Sequence, residues 1–308
     1  MSETIEGGSP HSTAQATRTA PAGAPALAPA DSTSATTVLV TGANSGIGMA
    51  TVRLLGERDA IVIGTVRSDE SEQQVRAALG DDGELPSWLS IERLDVTDVE
   101  AGRALMKRCK PDVLVNNAGS TLLGAVAETG FDDVEQQFRS TVFGPVFLAR
   151  SAVEVGGCKR VINVGSVVAE GVIPFTGWYG ASKAALEVVS DVWRVEAGGS
   201  GVEIVTVECG AIGTDIWERA GETVAGSGDP ATAGARKRWA SLTNLIKAGF
   251  GDPDDVAKAI AGAALAAKPS SVIHVGFGAR LIPLVGHVPR PVREGLTKVL
   301  FGLNRRRP

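Results

Sequence analysis

The chain has 308 residues, 44% of them hydrophobic and 21% charged, with 30 basic against 35 acidic side chains and a formal net charge of −5. That is enough apolar material for one large α/β domain with a buried core, and the mild acidity, relieved only by the run Arg305 to Arg307, argues against nucleic acid as a partner. Three isolated cysteines, Cys109, Cys158 and Cys209, suggest neither a disulfide framework nor a zinc site, and Gly and Pro break every apolar run before the roughly 18 to 20 residues of a membrane span, so a soluble cytoplasmic protein is expected.

Residues 1–35 are almost entirely Ala, Ser, Thr, Pro and Gly, a composition that cannot repay the entropy of ordering, and they are read as a disordered tail. An export signal would need a basic start and an unbroken apolar stretch, whereas Glu3 and Glu6 come early and Pro21, Pro25 and Pro29 later. A partner-binding or organelle-targeting segment is the alternative. From residue 36 to 280 short apolar runs alternate with helical segments, the pattern of parallel strands joined by crossover helices. Strands are expected at 36–40, 60–65, 88–94, 112–116, 160–164, 202–208 and 271–275. Helices are expected at about 46–57, 70–79, 98–109, 131–155, 178–197 and 253–267, without internal repeats. The fold class is therefore α/β, one doubly wound parallel sheet of about seven strands with helices on both faces. The stretch 213–250 fits no strand and is expected to form a mobile helical lid, and 281–308 reads as an amphipathic extension.

The first strand runs directly into TGANSGIG at 41–48, and a helical pattern follows. In that context Gly42 permits a tight turn, Gly46 lets the backbone approach a pyrophosphate, and Gly48 lets the new helix pack close to the sheet. The helix N-terminus then offers unpaired N–H groups to phosphate, so Gly42, Asn44, Ser45, Gly46, Ile47 and Gly48 are candidate contacts. A bare structural turn needs no such triad of glycines.

The spacing is TGxxxGxG, and further motifs follow in order: Asp95 in LDV after the third strand, NNAG at 116–119 after the fourth, and YGASK at 179–183 opening a long helix. Over about residues 36–275 this ordered set resembles the classical short-chain dehydrogenase/reductase (SDR) family. The resemblance implies a Rossmann-type catalytic domain, a nicotinamide cofactor, carbonyl–alcohol interconversion, and a homodimer or homotetramer joined through the helices at 131–155 and 178–197. It also places Asp95 and Val96 against the adenine and Asn117, Ala118 and Gly119 along the cofactor cleft, with a helix cap as the plainer role for Asp95. Where the family ends its second strand in an acid that holds the ribose 2′-hydroxyl, this chain has Val66 followed by Arg67. Nothing there repels a 2′-phosphate and the guanidinium can fork onto one, so NADP is favoured over NAD. A solvated surface arginine is the alternative for Arg67.

Carbonyl reduction needs a proton donor beside the substrate oxygen, and the chain has a single tyrosine. Tyr179 and Lys183 stand four residues apart in a helical stretch, so they emerge on one face. The neighbouring ammonium favours the phenolate and is expected to bring Tyr179 down from its ordinary pKa of about 10 toward working pH. By resemblance Lys183 would also hold the nicotinamide ribose hydroxyls, and Ser166 would be the serine that hydrogen-bonds the substrate oxygen, a strand-end turn being its plainer role. His274 and His287 lie in no metal-binding spacing and are read as structural; no metal is expected.

Two departures from the family pattern stand out. In ECGAIGTDI at 208–216, Cys209 replaces the usual proline, while Gly210, Ile212 and Thr214 still fit the segment that by resemblance touches the nicotinamide carboxamide. The backbone path is expected to persist with less rigidity. In STVFGP at 140–145, Thr141 stands where related sequences carry an asparagine that sits in a helix kink and helps hold a water of a proton relay. Threonine can donate and accept but lacks the amide's extra donors, which leaves either a rebuilt relay or a hydroxyl that merely bonds back within its helix.

The lid and its flanks contribute Ile212, Ile216, Trp217, Trp239, Leu242, Leu245 and Phe250, which suit an apolar ketone, aldehyde or secondary alcohol, or equally a core. In the C-terminal extension Val292, Leu296, Val299, Leu300 and Leu303 can form one apolar helix face. That face is expected to dock on the domain, with covering the substrate mouth or lying on an anionic membrane as alternatives; membrane contact is not the expectation. The competing function is an NADP-binding sensor or regulatory protein that kept the fold and lost the chemistry. Intact Ser166, Tyr179 and Lys183 speak against it.

Overall fold

The computed structural model describes residues 35–213, 224, 228–246, 249–279, 281 and 287–303. Among them, seven strands form one parallel sheet: β1 Thr37–Thr41, β2 Ile61–Val66, β3 Leu89–Arg93, β4 Val113–Asn116, β5 Arg160–Ser166, β6 Glu203–Cys209 and β7 Val272–Val275. The described helices are α1 Gly46–Gly56, α2 Asp69–Leu79, α3 Val99–Cys109, α4 Phe131–Phe138, α5 Gly144–Glu154, α6 Gly177–Glu196, α7 Ala233–Ile246, α8 Pro253–Leu265 and α9 Arg290–Phe301. The strand order is β3-β2-β1-β4-β5-β6-β7. Its direction reverses between β1 and β4, and a crevice opens there beyond the C-terminal ends of the strands.

The strands are apolar in both phases of their two-residue period because both faces of the sheet are covered. On one face Val38, Val40, Val62, Val115, Ile162 and Val207 meet Val52 and Leu55 of α1 and Val256 and Ile260 of α8. On the other, Leu39, Ile63, Leu114, Val161 and Ile204 meet Leu105 and Met106 of α3 and Leu148, Ala149 and Ala152 of α5.

The helix expected over 131–155 is interrupted. A π-helical turn, Arg139–Phe143, joins α4 to α5. Pro145, in the first turn of α5, supplies the reason, since it has no N–H to continue the α-helical ladder. Gly144 fits the break because a Cβ there would stand 2.5 Å from the Val96 carbonyl, so the turn after β3 packs directly on the interrupted helix.

Of the stretch expected as a lid, α7 is described, whereas Thr214, Ile216 and Trp217 lie outside the described residues. No helix among the described residues is long and apolar enough to cross a membrane.

Candidate active site

At the crevice, β1 hands over to α1 through the glycine loop. Gly42 and Gly46 take φ of +69° and +51°, in the left-handed region open to glycine. A Cβ on Gly48 would lie 2.0 Å from the Gly42 carbonyl oxygen and 2.6 Å from Asn117 Nδ2, so only a hydrogen fits. Thr41 pins the loop to β4: its Oγ1 accepts the N–H groups of Asn117 at 3.0 Å and Ala118 at 2.9 Å. Asn117 returns the tie, donating Nδ2 to the Thr41 carbonyl at 2.9 Å and the Gly42 carbonyl at 3.2 Å. The Asn117 amide therefore braces the loop, a role its motif did not disclose.

The start of α1 has the chemistry of an anion site. Ser45 occupies the N-cap without a side-chain cap bond, the first turn carries no acid, and Ser45 and Gly46 are exposed. Its leading N–H groups are thus open to phosphate. Asn44 Nδ2 donates to Gln74 Oε1 at 2.9 Å, and Ile47 is partly buried against the core.

At the end of β2, Val66 is buried and Arg67 is exposed, with no ion pair to any described residue. The next acid, Asp69, is held by Arg93. Asp95 is not the helix cap expected as its plainer role: Oδ1 accepts from Thr97 N at 2.9 Å and Thr97 Oγ1 at 2.8 Å in the turn before α3, and Asp98 takes the N-cap. Val96 beside it is buried.

The catalytic candidates meet above β5. Ser166 ends the strand and Tyr179 comes from α6, and the Ser166 and Thr121 hydroxyls stand close enough to act on the Tyr179 phenol. Ser166 Oγ also accepts Val168 N at 3.3 Å, so the turn role and the site role coexist. Lys183, one turn along α6, donates Nζ to the Val164 carbonyl at 2.8 Å.

The expected lowering of the phenol by its lysine neighbour is overturned in this state. Burial pushes Tyr179 up to about 12, against the partial relief of its Ser166 hydrogen bond. Burial likewise pulls Lys183 down to about 8. Desolvation disfavours both charged forms. The Cys209 thiol, also buried, is pushed up to about 12, far from a working nucleophile.

Thr141 lies in the π-helical turn and is buried. Its Oγ1 accepts Gln137 Nε2 at 2.8 Å. Gln137 is 1% exposed and sits at a junction. Nε2 also faces Ser182 Oγ at 3.0 Å and the Ser120 carbonyl at 3.1 Å, while Oε1 accepts Leu122 N at 2.9 Å. A backbone acceptor on one end and a backbone donor on the other fix the amide's orientation. Ser182 then donates to the Tyr179 carbonyl at 2.8 Å. One amide thereby joins the loop after β4, the π turn and the catalytic helix. Gly119 lies alongside, its would-be Cβ 3.6 Å from Thr141 Oγ1.

The segment at the end of β6, which carries Cys209 in place of a proline, is tied to its neighbours by backbone bonds. Gly210 N donates to the Val275 carbonyl at 2.8 Å, Ala211 N to the Phe277 carbonyl at 3.2 Å, and Gly213 N to the Gly251 carbonyl at 2.9 Å. Ile212 belongs to the core, not to a substrate wall.

Beside Tyr179 an apolar cluster gathers Leu123, Phe175, Val224, Ala235, Trp239 and Phe301, with Leu242 at its border. Phe175 has φ +70°, strained for so bulky a residue. Arg236 holds it: the guanidinium lies 5.2 Å over the Phe175 ring, pairs with Glu128 and donates to the Val224 carbonyl at 2.9 Å.

One turn beyond Lys183 along α6, Glu187 joins Glu170 and Glu208, the three bringing oxygens within 4.8 Å of one another. His274 Nδ1 lies 2.8 Å from Glu208 Oε2, in keeping with a structural histidine. Burial and the neighbouring carboxylates push Glu187 up to about 7.

Residues 36–225 match the short chain dehydrogenase family. The chain belongs to the short-chain dehydrogenase/reductase family. It is an oxidoreductase of the kind that joins a nicotinamide cofactor to carbonyl and alcohol groups. Among its relatives, the 3-oxoacyl-[acyl-carrier-protein] reductase FabG of Vibrio harveyi is 34% identical over 72% of this chain and 86% of that protein. The NADPH-dependent 3-dehydrocapnine reductase of Ornithobacterium rhinotracheale is 30% identical over 59% of this chain and 67% of its own length. A short-chain dehydrogenase from Streptomyces avermitilis superposes with a TM-score of 0.68 at 32% identity, covering 87% of this chain and 97% of the other.

Against that family frame, Gln137, Thr121 and Ser182 are the site residues that motif reading missed in this SDR. Nothing in the run Glu135, Gln136, Gln137 marks the third as the buried one. Only its position four residues before Thr141, on the same helix face, hinted at a partner.

Proposed function

We propose that this enzyme interconverts an apolar ketone or aldehyde and its alcohol with NADP, using Tyr179 as acid and base. The observation that carries the reading is the group of Tyr179, Ser166 and Thr121 hydroxyls against an apolar wall, with Lys183 one turn away. The cofactor would be held by the loop residues Gly42, Asn44, Ser45, Gly46, Ile47 and Gly48, by Asp95 and Val96, by Asn117, Ala118 and Gly119, and by Gly210, Ile212 and Thr214. The uncapped start of α1, with its glycine cradle, fits a pyrophosphate. Exposed Arg67 after a β2 that ends without a carboxylate fits a 2′-phosphate. The NADPH-dependent relative and a serine dehydrogenase solved with NADP+, 25% identical with a TM-score of 0.65 over 78% of this chain and 94% of the other, support that choice.

When bound, the nicotinamide supplies or takes the hydride. The protein's part is the proton. Ser166 and Tyr179 present hydroxyls to one substrate oxygen, and a phenol raised to about 12 is neutral at working pH, the form a proton donor needs. As the oxygen gains charge it takes the phenolic proton. Lys183, lowered to about 8, remains mostly cationic at neutral pH, where it stabilises the phenolate left behind and can hold ribose hydroxyls. Thr141, oriented by Gln137, is the hydroxyl through which a water could resupply the proton. The catalytic domain spans 36–280 in this reading, in a cytoplasmic setting. Assembly through α5 and α6 is supported by Phe147, Val188, Val192 and Val195, exposed apolar residues on their outer faces.

Oxidation of NADPH followed by its absorbance against a panel of apolar aldehydes and ketones tests the reading. Wild type should turn over at least one, and Tyr179→Phe should retain less than about a hundredth of the rate with cofactor affinity intact. A variant keeping more than a tenth of the rate would sink the mechanism. Tight NADPH binding with no turnover across the panel would favour the sensor reading.

A further inference from the structure

α9 docks by the face that sequence patterning did not select. The stripe Arg293, Thr297 and Phe301, four residues apart, faces the domain. Arg293 donates to the Glu170 carbonyl at 3.3 Å, Thr297 Oγ1 to the Val172 carbonyl at 3.1 Å, and Phe301 is buried in the apolar cluster that packs on Tyr179. From below, Arg238 reaches the Val299 and Leu300 carbonyls at 3.2 and 3.3 Å. Gly302, at φ +68°, closes the helix.

This arrangement turns the apolar stripe outward. Val292, Leu296, Val299 and Leu300 are 49, 65, 62 and 55% exposed, and Leu303 follows on the same face. A surface helix ordinarily buries its apolar stripe, and this one presents it to whatever lies outside.

Charge selects the occupant. From 287 to 307 the chain carries six arginines and lysines against one acid, Glu294, although the whole molecule has a net charge of −5. Arg290 and Lys298 are exposed on α9 itself, and Arg305 to Arg307 follow in sequence. Two copies facing each other through this segment would bring like charge together. An anionic bilayer complements it, offering hydrocarbon for the leucines and phosphate or carboxylate headgroups for the cations, while the acidic remainder is held away. We propose that the outer face of α9 forms a peripheral docking surface for an anionic lipid bilayer. The helix lies in the interface and does not cross it, and it sets the roof of the apolar cluster beside the membrane. The proposal stands apart from the catalytic reading, since it needs no turnover.

Co-sedimentation of the full chain with vesicles tests it. Wild type should pellet with phosphatidylcholine vesicles containing about one-third phosphatidylserine, bind pure phosphatidylcholine at least about tenfold more weakly, and be released by high salt. Leu296→Glu combined with Leu300→Glu should lose binding by about tenfold or more while NADPH affinity in solution is unchanged. Wild type left in the supernatant with anionic vesicles, or the double variant pelleting like wild type, would overturn the proposal. So would a drop in oligomeric mass of the variant without any vesicle binding by wild type, which would make the face a contact between copies. Vesicle binding without turnover would count against the proposed function alone.

Discussion

The two halves of the crevice are built on different principles. The nucleotide half, from β1 to β4, is built around the backbone: left-handed glycines, an uncapped helix start, and main-chain groups held in place by the Thr41 hydroxyl and the Asn117 amide. The half that the proposed function assigns to the substrate, from the π turn through α6 to α9, is a side-chain device. Its parts are the Gln137 amide, the Tyr179, Ser166 and Thr121 hydroxyls, and the Arg236–Glu128 pair over a strained Phe175. A backbone device tolerates almost any side chain that does not collide and fails abruptly when one does. A side-chain device is held by buried polar partners and fails by degrees as each is left unpaired.

The sharpest break of that contrast is Gly48→Ala. The new Cβ would meet the Gly42 carbonyl oxygen at 2.0 Å, so the loop must move. Overpacking of about 3 kcal/mol, or roughly a hundredfold in NADPH affinity, is expected from a fluorescence titration. Affinity within threefold of wild type would mean the loop yields more readily than its backbone contacts imply. Gln137→Met should act more gently and on the other half. It keeps the volume but strands the Leu122 N–H and the Ser120 carbonyl, each worth about 1–3 kcal/mol when unpaired. The melting temperature should fall and kcat should drop more than the cofactor Kd rises, because Thr141 and Ser182 lose their common partner. An equal loss in kcat and in cofactor affinity would make Gln137 a general core residue.

The smallest effect concerns pH. Glu187 has its pKa raised from the ordinary carboxylate value to about 7 by burial among carboxylates, so folding favours its protonated form. Its cost is therefore absent below the unfolded value of about 4.3, grows as pH rises, and is complete above about 7. Glu187→Gln should remove that slope. Allowing for solvent screening, the gain is about 1 kcal/mol, or roughly 2–4 °C in Tm at pH 8, shrinking to nothing near pH 4. Melting curves of both proteins at several pH values check it, and a constant difference between them would show that Glu187 does not titrate with folding.

The legibility of the chain follows the same division. Strands and most helices fell on their expected segments because two-residue and 3.6-residue periods are local, and the glycine loop was readable because φ limits act on single residues. A kink at Thr141 was legible only by resemblance and its π-helical form not at all, since one ring can either kink or end a helix and the Val96 contact that accommodates the break lies 48 residues away. Gln137 was invisible for a related reason: Ser120, Leu122 and Ser182 converge on it from different elements.

The sequence by itself determined the sheet, the phosphate loop, the family, and the identity of Tyr179, Lys183 and Ser166 as the catalytic candidates, because each is encoded within a short stretch of chain. Only the tertiary structure decided the direction in which Tyr179 titrates, which backbone bonds tie the segment at Cys209, what orients Thr141, and which face of the last helix meets the protein. Those outcomes depend on burial and on distances between residues far apart in the chain. Desolvation and hydrogen bonding are fixed only when the elements have packed.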